Sequence, residues 1–415
     1  MMTLLEELSW RGFVNQTTYK DTAVLNTPGI NFYWGVDPSA DSMTIGNLAA
    51  AMMARHFIAH GHNAYLLVGG ATGMIGDPDG KSQERDLLTL EQLEANKRAI
   101  SAQYAQVFAG STFTVVDNYD WFKDMGYLQF LREIGKHVPM RQMLAREFVQ
   151  SRLSEDGAGI SYAEFSYSLI QGYDFLHLFR EHDVNLQLAG ADQWGNCIAG
   201  VELIRRITGN EAHVWSSPLI INKATGKKFG KTEDGAIWLD ERKTSVFKFY
   251  QFWINADDEG VEEYTKIYTL LDVDALDELM QAHKANPAAR LAQRRLAFEV
   301  TRIVHGEQKA RSVERITDIL FARKSYDEME SNDIQLLKAE LPCVDAATNT
   351  DLAGLLVQLA LASSKTEARQ FIQSGAISIN GDPYKEPLLA QSVFKNRKTA
   401  NIKRGKNNFG LITVE

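Results

Sequence analysis

Ile30 to Val36 is an apolar, aromatic run closed by Asp37 and Pro38, a pattern that predicts a buried strand ending in a turn. Ile45, Leu48, Met52 and Phe57 then recur at near-helical spacing as far as Gly61, and Ala64 to Val68 forms a second apolar strand that runs into Gly69 and Gly70. Strand, helix, strand in this order predicts a parallel sheet with right-handed crossovers, on which ligands sit at the carboxyl ends of the strands. Further units follow: a helix over about 89–109, a strand near Phe113 to Val116, helices over about 125–152 and 162–181, and a strand at Val184 to Leu188. From about residue 236 the strand patterns stop, and the stretch to about 325 reads as helices rich in Leu, Ala, Glu and Arg. Residues 326–350 are mixed and polar and predict a linker; Leu352 to Gly375 reads as helical, before a short strand at Ala376 to Asn380 and a turn at Gly381. The fold expected is α/β, followed by a helical domain and a small α+β domain.

Length and composition fit that plan. A chain of 415 residues with 45% hydrophobic content exceeds what one core usually serves and can fill two or three. The N-terminus lacks a charged segment followed by a continuous apolar run, and no stretch approaches the roughly 18 apolar residues of a membrane span. Cys197 and Cys343 are the only cysteines, without the number or spacing of a disulfide framework or a zinc site, which fits a reducing cytoplasm. The net charge of -9 argues against a nucleic-acid partner. That average hides a basic tail: residues 391–415 carry Lys395, Arg397, Lys398, Lys403, Arg404 and Lys406 against Glu415 alone. Composition leaves the tail open to two readings, a solvated face or an RNA contact.

Three segments could carry chemistry. The loop Gly69 to Asp77 has four glycines directly after a strand, and Lys81 and Arg85 follow at i and i+4, where two cations on one helix face could hold phosphate oxygens or could simply be solvated. Lys223 to Thr232 is a second basic loop, in which Gly226 and Gly230 would give mobility to Lys227, Lys228 and Lys231; it suits a highly charged leaving group or an ordinary surface hairpin. Tyr167, Gln171 and Asp174 fall at i, i+4 and i+7 of one helix, so they point the same way, into a pocket or into solvent. His56, His60 and His62 have no HExxH or carboxylate companion in the sequence and read as structural. There is no GxSxG elbow and no Walker loop, which argues against covalent catalysis and the usual NTPase machinery.

Taken in order, six segments resemble the bacterial tyrosyl-tRNA synthetases, a family of class I aminoacyl-tRNA synthetases, from about residue 30 to the C-terminus. They are Tyr33 to Ser42, Gly69 to Pro78, Phe165 to Tyr167, Gln171 to Asp174, Ala191 to Asn196 and Lys228 to Thr232. Ser364 to Arg369 and Ile379-Asn380-Gly381 are similar to the S4 RNA-binding module that ends this family, which favours RNA for the basic tail. The resemblance implies a Rossmann-like parallel-sheet catalytic domain over 1–225 and a mobile lysine loop with a helical anticodon-side domain over 226–325. A linker over 326–350 and an S4-like domain over 351–415 would complete the chain.

It also implies ATP-dependent activation of L-tyrosine to tyrosyl-adenylate and transfer to the 3' end of tRNA(Tyr), in a cytoplasmic homodimer, with Mg2+ accompanying ATP and no metal held by the protein. By the same carry-over Tyr33 and Asp174 hold the phenol, one donating to its oxygen and one accepting its proton, so that phenylalanine would leave both unpaired, a discrimination for which this family is itself the standard illustration. Asp77, Tyr167 and Gln171 would bind the amino group, and Gln193 the carboxylate region. Gly35, Asp37, Ser39, Gly46, Asn47, Gly190, Asp192 and Lys231 would bind ATP, Asp192 at the ribose. Charge on the phosphates would be stabilised by Lys81, Arg85, Lys228, Lys231 and Thr232 together with Thr44 and Asn47. RNA would meet Lys365, Arg369, Lys403, Arg404 and Lys406. The sequence departs from the family at Thr44-Ile45-Gly46-Asn47, where His-x-Gly-His is usual, and at Ser39, where threonine is. A hydroxyl at position 44 cannot reach or carry charge as an imidazole does. Other readings of the chain are a paralogue that passes tyrosine to another acceptor and an RNA-binding protein with a relic nucleotide site. A tryptophan-specific enzyme fits less well, because Asp174 facing Tyr33 suits a phenol better than an indole.

Overall fold

The computed structural model describes residues 2–78, 86–154, 157–223, 225–226, 228–232, 235–321, 328–394, 398–405 and 408–414, with 147–148 and 231–232 as backbone only. The chain divides into two compact units, one of Met1–Thr244 with Asn255–Leu296 and one of Ser245–Ile254 with Ala297–Glu415.

The first unit is built on a six-stranded sheet of β1 (Gln16–Thr17), β2 (Asn31–Val36), β3 (Asn63–Val68), β4 (Phe113–Asp117), β5 (Leu186–Gly190) and β6 (His213–Ser217). The order is β1-β6-β5-β2-β3-β4, parallel except for the β1–β6 pair. β2, β3 and β4 run outward in sequence, and β5 then returns to the other side of β2. The direction of winding reverses between β2 and β5, which is where open parallel sheets form a ligand crevice. The strands are apolar because both faces are covered: Phe32, Trp34, Leu66 and Leu188 are all buried. α1 (Leu4–Arg11), α2 (Ile45–Ala59), α3 (Leu90–Val107), α4 (Tyr162–His182) and α5 (Trp194–Thr208) are the main helices of the unit's sheet-bearing part.

Two expectations change here. The helix predicted over 125–152 is broken into Tyr127–Glu133, a 3-10 turn at Gly135–His137, Met140–Leu144 and Glu147–Leu153, because Gly135 weakens it and Pro139 cannot continue it. Helix α1, β1 and β6 were not foreseen. α1 carries a legible signature, a capping box in which Thr3 and Glu6 exchange hydrogen bonds.

α1 also supplies the carboxylate that the histidines lack in the sequence. Glu7 accepts from His56 Nδ1 at 3.0 Å, His60 Nε2 at 2.7 Å and Arg11 Nε at 2.8 Å. Arg11 in turn donates to the carbonyls of Lys266, Thr269 and Leu271, closing the end of helix Val261–Tyr268. One partly buried cluster thus ties three helices together. Burial works against the charge on Glu7, but the bonds from His56, His60 and Arg11 hold its carboxyl far below the usual range. His62 is structural too, donating to the Leu25 carbonyl at 3.0 Å.

The second unit has helices Val246–Ile254, Glu307–Leu320 and Ser331–Glu340 and a five-stranded sheet. The sheet runs Asp382–Pro383, Ile377–Ile379, Thr399–Arg404, Asn408–Thr413, Cys343–Asp345, with the last pair parallel. The stretch expected as a linker therefore holds a helix and an edge strand. Leu352 to Gly375 is two helices, Leu352–Gln358 and Lys365–Gln373, parted by Ala360 at φ 54° and restarted by Ser364, which caps Glu367 N. Leu352, Leu356, Ile372, Ile402 and Ile412 share its core.

The ion cluster predicts acid sensitivity. Burial lowers the pKa of His56 and its partners lower that of Glu7, so both bind protons more readily unfolded. Stability of the first unit is expected to fall as pH drops below about 6.5, the unfolded histidine value. Glu7→Gln should remove on the order of 3 kcal/mol at neutral pH, read by chemical denaturation.

Candidate active site

β2 and β5 are hydrogen-bonded only through Phe32–Leu186 and Tyr33–Gln187. Beyond that point β2 stays paired to β3 as far as Val36, and β5 to β6 as far as Gly190. The sheet therefore splits along this seam, and a cavity of about 530 Å³ opens between the separated ends, lined by Trp34, Gly35 and Val36 on one side and Leu188, Ala189 and Gly190 on the other. Its size suits an amino acid with a nucleotide.

At the point of separation lie Tyr33, Gln187, Gln171 and Asp174, all lining the cavity. The Tyr33 hydroxyl and the Oε1 atoms of Gln171 and Gln187 are buried without a hydrogen-bond partner among the described residues. Buried polar atoms are seldom left so, and three around one cavity mark where a polar ligand fits. Asp174, 2% exposed, accepts from Asn118 Nδ2 at 3.1 Å and Trp121 Nε1 at 2.9 Å. Burial pushes the Asp174 carboxyl well above its ordinary range, and the two donors counteract it. Burial also raises the Tyr33 phenol, with Cys197 and Asp174 adding to it, so Tyr33 keeps its proton and can donate. Asn118, Trp121 and Gln187 were not singled out from the sequence. Gln187 could have been found, as a polar residue between the apolar Leu186 and Leu188 of a strand.

Tyr167, Gln171 and Asp174 do share one face of α4 and line the cavity together. The Tyr167 hydroxyl donates to Asp37 Oδ2 at 2.6 Å and Thr72 Oγ1 to Asp37 Oδ1 at 2.6 Å. Asn118 Nδ2 also reaches Thr72 Oγ1 at 3.0 Å, and Asn118 Oδ1 accepts from Ala71 N at 2.6 Å. One network thus runs from Asp37 through Thr72 and Asn118 to Asp174. The glycines of this loop serve it: a Cβ at Gly69 would collide with Asp37 Oδ1 and Thr72 Oγ1. Its lack of a side chain admits the protein's own carboxylate. Asp77 accepts from Gln193 Nε2 at 2.7 Å, and Arg146 donates to Asn196 Oδ1 at 2.6 Å beside it.

At the open end, Lys228 Nζ lies 3.2 Å from Asp192 Oδ2, both about half exposed. Ser39, Thr44, Gly46 and Asn47 line the same cavity at the start of α2. Gly230, at φ 85°, packs so closely on α2 that a Cβ there would lie 2.5 Å from Ile45. Phe229 is buried and stacks on Tyr264 at 4.2 Å, anchoring that end of the lysine loop. Lys81, Arg85, Lys227 and Lys406 lie outside the described residues, as do the side chains of Lys231 and Thr232. Asp37, Asp77, Asp174 and Asp192 line the cavity, and among the described residues Lys228 is the cation facing them. Such a field attracts an ammonium and calls for further cations before a polyphosphate can enter. No cluster of three or more His, Cys, Asp or Glu able to hold a metal occurs among the described residues, and no described helix is long and apolar enough to cross a membrane.

In the second unit Lys365 and Arg369 are exposed on one helix, with Lys365 Nζ 3.2 Å from Asp351. Arg404 lies 4.9 Å over the Phe371 ring. Lys403 is half-buried over Phe409 and Phe321 and donates to the Leu320 carbonyl at 3.4 Å.

Residues 25–322 match the family described as tRNA synthetases class I (W and Y), and residues 333–412 match the tyrosine–tRNA ligase SYY-like C-terminal domain. The tyrosine–tRNA ligase of Levilactobacillus brevis is 43% identical, with 100% of both chains covered. That of Geobacillus kaustophilus is 43% identical, with 99% of both covered. Among solved structures, a C-terminally truncated Aspergillus nidulans mitochondrial tyrosyl-tRNA synthetase superposes with a TM-score of 0.70 at 29% identity, covering 77% of this chain and 95% of that one. A tryptophanyl-tRNA synthetase from Encephalitozoon cuniculi shares the fold, with a TM-score of 0.53 at 13% identity over 80% of this chain and 89% of that one.

The network through Asn118 carries a test independent of any ligand. Asn118→Ala should strand the Ala71 amide and one oxygen of Asp174, lowering stability by about 2 kcal/mol in denaturant unfolding.

Proposed function

The chain belongs to the class I tRNA synthetases of the tyrosine and tryptophan type and is an ATP-dependent tyrosine–tRNA ligase, and on that premise we propose how its residues divide the work. The observation that carries the assignment is the Tyr33 hydroxyl, buried beside Asp174 at the seam of the sheet with no hydrogen-bond partner among the described residues. A tyrosine ring entering there meets one donor, Tyr33, and one acceptor, Asp174, for the two needs of a phenol. An indole N–H would satisfy Asp174 and leave Tyr33 unpaired. The substrate ammonium lies toward Asp77, Tyr167 and Gln171, with Asp37 adding charge behind them, and Gln193 stands at its carboxylate.

ATP occupies the open end, with Gly35, Asp37, Ser39, Gly46, Asn47 and Gly190 along its length and Asp192 at the ribose. The tyrosine carboxylate attacks the α-phosphorus in line and pyrophosphate leaves. A terminal hydroxyl of tRNA(Tyr) then attacks the activated carbonyl and AMP leaves. No protein nucleophile takes part; the enzyme orients the reactants and neutralises phosphate charge. Lys228 suits that task, because an exposed pair such as Lys228–Asp192 contributes little and is readily exchanged for phosphate. Lys81, Arg85, Lys231 and Thr232 act with it, and Mg2+ arrives on the ATP phosphates.

The expected division of the chain is kept as part of this reading: catalytic work to about residue 225, an anticodon-side helical part to about 325, and an S4-like RNA module from about 351. In that module Lys365 and Arg369 are the RNA contacts best supported by exposure, with Arg404 and Lys403 half-buried against Phe371 and against Phe409 and Phe321. The protein works as a cytoplasmic homodimer. Tyr127, Leu128, Met140, Leu144, Leu153 and Tyr162 are exposed within one stretch of the first unit, the kind of apolar surface a partner copy covers.

Tyrosine-dependent exchange of labelled pyrophosphate into ATP should be brisk for the wild type and absent with phenylalanine or tryptophan. Asp174→Asn should weaken tyrosine binding by about 1–3 kcal/mol while the protein still folds. Brisk exchange with tryptophan would overturn the assignment. Arg369→Ala should lower the salt slope of tRNA binding by about 1 and leave exchange untouched, as a lost phosphate contact does. Leu128→Asp should shift the sedimentation equilibrium toward monomer.

A further inference from the structure

Helix Val261–Tyr268 stands beside the lysine loop as a fixed post. Arg11 closes its last turn through the carbonyls of Lys266 and Thr269, and Asp257 opens its first, accepting from Gly260 N at 2.6 Å. Tyr264, in the middle of the helix, is fully buried, and a buried hydroxyl needs partners. It has one proton, which goes to Asp257 Oδ2 at 3.0 Å, closer than the Ile221 carbonyl at 3.5 Å. Burial raises the Tyr264 phenol, so it keeps that proton. A lone pair of the same oxygen then accepts from Lys223 N at 3.3 Å, in the backbone of the loop.

The ring of Tyr264 makes the second hold. It stacks on Phe229 with centroids 4.2 Å apart and planes 25° from parallel. The Ile221–Lys228 bridge and the bond from Phe229 N to Ile220 O, 2.8 Å, close this part of the loop into a narrow hairpin. One tyrosine thus grips the entering side of the hairpin with its hydroxyl and the leaving side with its ring, and Lys228 lies between the two grips. Gly260 makes room for this: a Cβ there would lie 2.4 Å from Tyr264 Oη, although its φ of -95° would admit any residue. Lys223 Nζ also lies 2.8 Å from Glu263 Oε2, an exposed pair that adds little.

Resting on the tyrosine-activating reading, we propose that Tyr264 is a positioning residue for the activation step: by fixing the lysine loop at Lys223 and Phe229 it holds the Lys228 ammonium where pyrophosphate leaves. Lys228 and Phe229 line the cavity, and Tyr264 stands behind Phe229. A lysine carries its charge on a flexible stem, so the hold on its backbone limits where that charge can go. The Asp192 carboxylate offers Lys228 a competing partner at 3.2 Å, and an ammonium freed from the Tyr264 grips would settle there or in solvent as readily as on phosphate.

The two steps of the reaction separate this role from a general loosening of the fold. Activation expels pyrophosphate, whereas transfer to tRNA expels AMP and has no pyrophosphate to steady. Tyr264→Phe keeps the stack on Phe229 and removes the hydroxyl. In single-turnover measurements on the full chain it should slow tyrosyl-adenylate formation by about tenfold, the order of loss a displaced charged group gives, with KM for tyrosine unchanged. Transfer from preformed adenylate to tRNA(Tyr) should stay within about twofold of wild type, and so should activation when Tyr264→Phe is added to Lys228→Ala, because the tyrosine acts through that lysine. Equal losses in activation and transfer would mark Tyr264 as merely structural and overturn the proposal. A full loss in the Lys228→Ala background, or no loss from Tyr264→Phe alone, would overturn it too. A wild type that forms no tyrosyl-adenylate would overturn the functional reading and this proposal with it, whereas the other contrary results, in an active enzyme, overturn the proposal alone.

Discussion

Two strands that share only the pairs Phe32–Leu186 and Tyr33–Gln187 decide where everything else lies. Had β2 and β5 stayed paired to their ends, the sheet would be closed and the space between Trp34–Val36 and Leu188–Gly190 would be filled by backbone. Their separation exposes polar groups inside an apolar core, and the cost of leaving them unpaired is a physical demand for a ligand. Tyr33, Gln171 and Gln187 express that demand. The helices answer to the same seam: α4 brings Tyr167, Gln171 and Asp174 to it on one face, and α2 begins beside it with Thr44 and Asn47.

Burial and hydrogen bonding are balanced against each other along the cavity. At its closed end Asp174 would lose its charge to burial, and Asn118 and Trp121 oppose that loss. At its open end the one described cation, Lys228, sits in a half-exposed pair with Asp192. The first arrangement is stiff and selects; the second is loose and can be remade around a phosphate. A site that recognises a small neutral phenol and releases a multiply charged product needs both. The same contrast separates the glycines: Gly69 lets Asp37 approach Thr72, and Gly230 seats the end of the lysine loop on Ile45.

Much of this was legible in the amino-acid sequence. The apolar runs at Ile30 to Val36 and Ala64 to Val68 predict β2 and β3, and the i, i+4, i+7 spacing of Tyr167, Gln171 and Asp174 predicts one shared face. Family motifs picked out most of the cavity lining. What was not legible depends on distance in the chain. Glu7 meets His56 and His60 only once α1 packs on α2, so the histidines looked unaccompanied. Asn118 and Trp121 follow an ordinary strand and gain meaning from Asp174, more than fifty residues on. The short strands at Cys343–Asp345 and Asn408–Thr413 are neighbours at one edge of the C-terminal sheet but lie far apart in the chain, and their composition is too mixed to read as strand locally.

The account turns on where the substrate ring lies, and a crystal structure of the protein with tyrosine measures that directly. The phenolic oxygen is expected within hydrogen-bond distance of both Tyr33 Oη and an Asp174 carboxylate oxygen, with the ring between β2 and β5 and the ammonium toward Asp77. A tyrosine bound with its phenol at the open end beside Lys228, leaving Tyr33 still unpartnered, would contradict it.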